Sequence, residues 1–499
     1  MKKRLALIVA AALAATTVMT GCSSGNGQKA TGAPAAESVA EGTAAGDTAA
    51  EGTAAGGTAA GGTAAERADA GKGQEVQESE TADPMAAITD DGTKKTITYW
   101  HTFTEGARKD YIDEMVAEYM KEHPNVTINV EVYPWNVFTQ KWTAGLAAGA
   151  LPDVSSVNPD NLFAINQAGA VLPMNPLIDA LGKDYFLGKP LENFTDGDTV
   201  LGIPYYLHSY VMWYRKDVLE EKNLSVPKNW DELLSTVTAV ADPPNRYGFT
   251  IAMSKNDQMC AQLLSCFAKA EGAPLITENN KGNLTDPKVV KAIQLMADLY
   301  KAGSPEGSVN YGLSEQNDVF FQGKSTFAFG SGFHINGVKQ NSPELLDKIA
   351  AVPFTGPDGE NLGATTFVIG LMGWNQTKYP ETVYDFIKFH FEKERYIDFL
   401  HLIPGGQLPA TAEAANSAEF YDDETIQKFK TEIEYIQEGI EKGTFIGMDY
   451  GLTPAASALT SQGIIEECLQ DIVLNGTPAE EAAKKANDKL NAAIEILME

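Results

Sequence analysis

Apolar and polar positions alternate most clearly from residue 95 onward. Residues 95–100 (KTITYW) read as a strand, and 106–123 follow as a helix with Tyr111, Ile112, Met115, Val116 and Tyr119 on one face. Pro124 and Asn125 stop that helix, and 126–132 alternate as a second strand. A helix over 137–149, a short strand near 153–157 and a helix near 159–168 complete a β-α-β-α-β order, which predicts an α/β domain with ligand loops at the carboxyl ends of its strands. Residues 206–214 are apolar enough for one strand, RKDVLEEKNL reads as a helix, and Asn229 with Glu232 three residues on is a capping-box pattern. Helical patterns recur at 258–270, 287–301, 314–322, 380–399, 423–440, 453–474 and 478–497, with β-like runs at 325–329 and 365–371. Periodicity alone assigns no helix of the second half to a domain.

The N-terminus follows a different logic. Lys2, Lys3 and Arg4 precede an apolar stretch, so 1–21 reads as a secretory leader. Its end, Val18-Met19-Thr20-Gly21-Cys22, resembles a bacterial lipobox, in which the cysteine is acylated (palmitate among the chains) and becomes the new N-terminus. Residues 22–93 are rich in Gly, Ala, Thr and Glu, with a five-residue repeat that matches neither helix nor strand. That composition predicts a disordered spacer reaching roughly 45 Å. About 405 residues remain, more than one core usually serves, and so two domains are expected. A net charge of -29 argues against nucleic-acid partners. Cys260, Cys266 and Cys468 form no disulfide framework, and six histidines without paired spacing suggest no metal; no cofactor is expected.

Six phrases, in this order, resemble the extracellular solute-binding proteins of ABC importers, in particular their carbohydrate-binding family 1 group. They are AAGALPDV (147–154), LGIPYY (201–206), WYRKDVLEEKNLSVPKNWDEL (213–233), FFQGKSTFAFGSGF (320–333), YPETVYDFIKFH (379–390) and IPGGQLPA (403–410). The resemblance implies an α/β, periplasmic-binding-protein-like fold of type II, with two lobes, a hinge and a cleft between them. It places 94–204 plus 325–378 in lobe one and 205–324 plus 379–499 in lobe two. It also implies a monomer, lipid-anchored on the extracytoplasmic face of the cell membrane, that closes on a mono- or oligosaccharide and delivers it to ABC permease subunits. A surface carbohydrate-active enzyme and a sugar-sensing or adhesion module are the alternatives; the enzyme needs two carboxylates about 5–10 Å apart across one cleft.

A sugar offers C–H faces to aromatic rings and hydroxyls to amides, carboxylates and hydroxyls. YWHTFTEG supplies such groups after the first strand: Trp100 or Tyr99 to stack, His101 to hydrogen-bond, Glu105 to accept. Asn158 and Asp160 follow the third strand, where Asn158 can equally cap the next helix. The resemblance favours Tyr205 and Tyr206 as a cleft pair within IPYYLHSYVMWY. In GSGFHING, Gly332 can admit a ligand to the backbone and Phe333 can stack; Thr365 can line the lobe-one wall.

Overall fold

The computed structural model describes residues 92–498. The leader over 1–21, the acylation site Cys22 and the spacer up to residue 91 lie outside the described residues.

Nine of the fourteen strands among the described residues carry the architecture: β1 (Lys95–His101), β2 (Val126–Val132), β3 (Val154–Val157), β4 (Ile203–Ser209), β5 (Val211–Arg215), β6 (Tyr247–Phe249), β7 (Ser325–Gly330), β8 (Ile349–Val352) and β9 (Thr365–Trp374). In the larger sheet the order is Leu408–Pro409, β4, β9, β3, β1, β2. The β-α-β-α-β start of the chain supplies its parallel part, β2-β1-β3, while β9 runs antiparallel to both β3 and β4. The smaller sheet has the order β8-β5-β7-β6.

The apolar run expected as one strand over 206–214 is two strands in two sheets. Its period and burial are the same on either side of the break, so nothing local marks it. Tyr210 alone lies between β4 and β5, and its N–H donates to Thr365 O at 3.4 Å. The chain returns over 353–364 into β9, and crosses a third time at Thr444–Phe445, which pairs in parallel with Thr365 and Thr366. The Ser209 hydroxyl also donates to Thr365 O, and Thr444 N donates to Ala364 O, both at 3.3 Å. Three crossings are thus stitched side by side. The helix Lys430–Lys442 packs over them, and Gly439 lets it come close: a Cβ there would stand 2.2 Å from Ser209 Oγ.

Two apolar cores result. Helices Gly106–Glu122, Pro380–Phe389 and Lys393–His401 join the first, on the larger sheet, where Tyr119 donates to Asp385 (2.9 Å) and Tyr111 to Arg395 O (2.6 Å). Phe249, the helix Met259–Ala270, the helix Pro287–Gly303 and the C-terminal helices form the second. The smaller sheet turns Met212, Phe327 and Phe329 to the second core, and Val211, Trp213 and Ala328 to the first. Ser325–Gly330, expected with 94–204, is bound to β5 and β6 by its backbone ladder. Residues 380–401, expected with 205–324, bury their apolar faces in the first core instead.

Three long helical patterns are each broken in two. Residues 380–399 divide because Phe391 turns inward against Phe186 (5.1 Å) and Tyr205 (5.7 Å). The 453–474 pattern divides at Gly463, whose φ of +60 places it in the left-handed region and against Lys255. Phe429 separates Glu424–Lys428 from Lys430–Lys442. Asn229 caps Trp230–Val240 as expected, accepting from Glu232 N at 2.9 Å; the returning Glu232 carboxylate takes Lys228 N rather than that of Asn229. Cys260 and Cys266 are buried, unbridged, in one helix. The helix Phe333–Asn341 and strands β6 and β8 are additional to the sequence pattern.

Candidate functional site

At the carboxyl end of β1 the chain enters a tight loop. His101 is fully buried, its Nδ1 accepts from Phe103 N at 3.2 Å, and burial lowers its pKa to about 4, so the ring is neutral. The Phe103 ring lies 5.8 Å from His101 and 6.4 Å from Tyr206. In the first turn of Gly106–Glu122, the Arg108 guanidinium stands 4.7 Å over Phe103 and 5.7 Å from the Phe333 ring.

Phe333 opens the helix that follows β7 of the smaller sheet; its ring is 6.5 Å from Tyr206 and 5.6 Å from His208. His208, kept neutral by burial with a pKa near 3, is stacked 5.1 Å from Phe367 and lies 5.4 Å from Tyr210. The Tyr210 hydroxyl donates to Gln262 of the second core. A line of rings therefore runs from the end of β1 and the loop after it (His101, Phe103) over the crossing strand (Tyr206, His208) to the smaller-sheet side (Phe333, Tyr210). Polar atoms along it lack a protein partner: His101 Nε2, Thr102 Oγ1, His208 Nδ1 and Gln262 Nε2. Buried groups of this kind are expensive unless something satisfies them.

A second contact joins the two cores. The Asp160 carboxylate, on the helix Pro159–Gln167, accepts from Thr460 Oγ1 at 2.9 Å, on the helix Pro454–Ser461, and burial raises its pKa to about 6. Asn158 sits at the N-cap of the Asp160 helix but makes no cap bond, and its buried Oδ1 is unpartnered.

Of the expected residues, His101, Tyr206 and Phe333 come together. Others are placed elsewhere. Trp100 is buried with its ring edge-on to Tyr133 at 5.3 Å, its N–H unpartnered. Glu105 is exposed at the N-cap of Gly106–Glu122, where its side chain makes no cap bond. A register skip at Tyr205 sets it 6.1 Å from Tyr206, but Tyr205 turns into the core, stacked at 4.3 Å on Phe399. The space at Gly332 is taken by protein: a Cβ there would meet Gly405 O at 1.8 Å, so the residue serves packing rather than the backbone approach expected of it. Thr365 binds Ser265 Oγ at 2.8 Å and holds the crossings. Sequence reading passed over Phe103, Arg108, Gln262 and Thr460; only Phe103, inside YWHTFTEG, lay in a stretch already singled out.

Residues 114–428 match the family described as bacterial extracellular solute-binding protein. A protein of Brucella abortus (strain 2308) is 27% identical over 330 residues, 64% of this chain and 77% of that one. The arabinooligosaccharide-binding protein of Halalkalibacterium halodurans is 23% identical over 433 residues, 82% of this chain and 92% of that one. An ABC transporter solute-binding protein from Thermotoga lettingae, solved with alpha-D-tagatose bound, aligns with a TM-score of 0.69 at 18% identity, over 80% of this chain and 100% of that one. At that identity the likeness concerns the fold, and the fold is of the two-lobed α/β periplasmic-binding kind.

Proposed function

Because this chain belongs to the family of bacterial extracellular solute-binding proteins, we propose that it encloses a carbohydrate or polyol between two lobes outside the cytoplasm and delivers it to an ABC permease. The observation that carries this reading is the line of rings spanning both sheets across the crossing strand, with unpartnered polar atoms beside it. Ring faces suit the C–H patches of a sugar, and the free donors and acceptors suit its hydroxyls. The arabinooligosaccharide-binding and tagatose-bound relatives support that class of solute.

The lobes we propose follow the sheets: 95–209 with 365–442, and 210–354 with 443–498. Ligand touching both favours the closed arrangement by its differential affinity for it. At micromolar affinity the whole binding energy is about 8 kcal/mol, small enough for a permease to reverse. A panel of neutral and acidic saccharides and polyols, followed by thermal unfolding, tests the reading: a ligand raises the midpoint by mass action. A panel without any shift contradicts it.

The protein acts as a monomer held to the outer face of the membrane by acyl chains on Cys22, with the Gly/Ala/Thr/Glu segment as spacer. The support is the lipobox-like Val18–Cys22 sequence together with the extracellular nature of the family. Labelling with a palmitate analogue, lost in Cys22→Ser together with membrane retention, is the expected result; unlabelled wild type excludes the anchor.

A further inference from the structure

Four arginines lie in the described chain, and three of them hold carboxylates: Arg215 pairs with Asp217, Arg246 with Glu221, and Arg395 with Glu118 and Glu392. Among the described residues Arg108 has no such partner, although the chain carries 67 acidic residues against 38 basic ones. Its place is unusual too. The guanidinium stands close to both Phe103, in the loop after β1, and Phe333, at the start of the helix after β7. Ring faces attract the cation but accept no in-plane N–H bond, so the two rings satisfy none of the guanidinium's five donors.

The surroundings add donors. Arg108 stands in the first turn of a 17-residue helix whose N-cap side chain, Glu105, makes no capping bond, so first-turn amides lack that partner. Just before it, Thr102 is 8% exposed with its hydroxyl unpartnered, and His101, whose Nδ1 accepts, carries an unpartnered Nε2–H. Lys109 is already engaged by Asp113, and the exposed Glu105 is the one acid adjoining the turn on its N-terminal side. We infer that the solute is an acidic sugar, whose carboxylate or phosphate seats on Arg108 and the Thr102 hydroxyl between the Phe103 and Phe333 rings. The inference rests on the carbohydrate reading and narrows it: charge selects the solute, and the rings hold the remainder.

Calorimetric titration of the full chain with matched solutes tests it: galactose against galacturonate, glucose against glucuronate, glucose 6-phosphate, and inorganic phosphate alone. Wild type should prefer an acidic member over its neutral counterpart by about tenfold, the scale of one charge-assisted fork. Carboxylate and phosphate arms identify which anion is read. Arg108→Gln should abolish the preference and Arg108→Lys should restore part of it, with unfolding midpoints separating lost folding from lost binding. Equal affinity within every matched pair overturns the inference but not the carbohydrate reading. So does an Arg108→Gln variant that weakens both members alike, because the arginine then only clamps the rings. Binding of inorganic phosphate without any saccharide, or of no solute at all, overturns both.

Discussion

Four histidines are buried where water cannot stabilise a charge. Burial lowers His101 and His390 to about 4 and His208 and His334 to about 3. An unfolded imidazole titrates near 6.5, so the stability these rings contribute is complete above that pH and is lost as pH falls toward their folded values. Asp160 and Glu466 oppose them: burial raises these carboxyls to about 6 and about 7, so their contribution is complete in acid and is lost as pH rises through those values. Between roughly pH 4.5 and 6.5 four rings work against two carboxyls, and unfolding should take up about two protons. The urea midpoint should therefore fall between pH 7 and pH 5; a constant or rising midpoint would show that the rings are not held neutral. The residue types of this site were legible in YWHTFTEG and IPYYLHSY, because rings beside polar groups suggest saccharide chemistry. Their orientations were not, since the skip at Tyr205 depends on pairing with distant β9. Arg108 was invisible for a related reason: on a helix surface it reads as a solvated charge, and only the fold brings Phe333 to it.

At the scale of elements, the bracing helix Lys430–Lys442 sets how near the crossings lie to one another. Alanine at Gly439 would gain about 1 kcal/mol of helix propensity. Against that, its Cβ would stand 2.2 Å from Ser209 Oγ and 2.9 Å from Ser209 Cβ, and the latter cannot rotate away. Overpacking costs about 1–3 kcal/mol, so Gly439→Ala should lower stability and couple to Ser209→Gly in a double-mutant cycle. A stabilised variant would mean that the helix moves freely over the crossings. The individual elements were readable wherever one period persisted: β2 and the helix Gly106–Glu122 fall where the pattern put them. The patterns over 206–214 and 380–399 misled because an unchanged apolar rhythm can continue while the chain changes sheet or turns a corner.

For the whole molecule, the decisive fact is that cores and crossings are not collinear with sequence. In the proposed division, 210–354 is a continuous insertion between two portions of the first body, although Val211, Trp213 and Ala328 face the first core, and the chain returns toward the smaller sheet's side only at Thr444. Family phrases revealed the presence of two bodies, while the strands that belong to each depended on ladders formed over more than a hundred residues, as between β5 and β7. Away from the crossings, the Asp160–Thr460 bond and the ring line are two further points where those bodies meet. Three passages of chain also make the junction redundant. The second contains an exposed bend at Asp358–Glu360, and severing it there would leave the two bodies joined through Tyr210 and through Thr444. Such a nicked molecule would run as two fragments in denaturant and as one particle in native buffer, much as a splinted bone keeps its length after a crack.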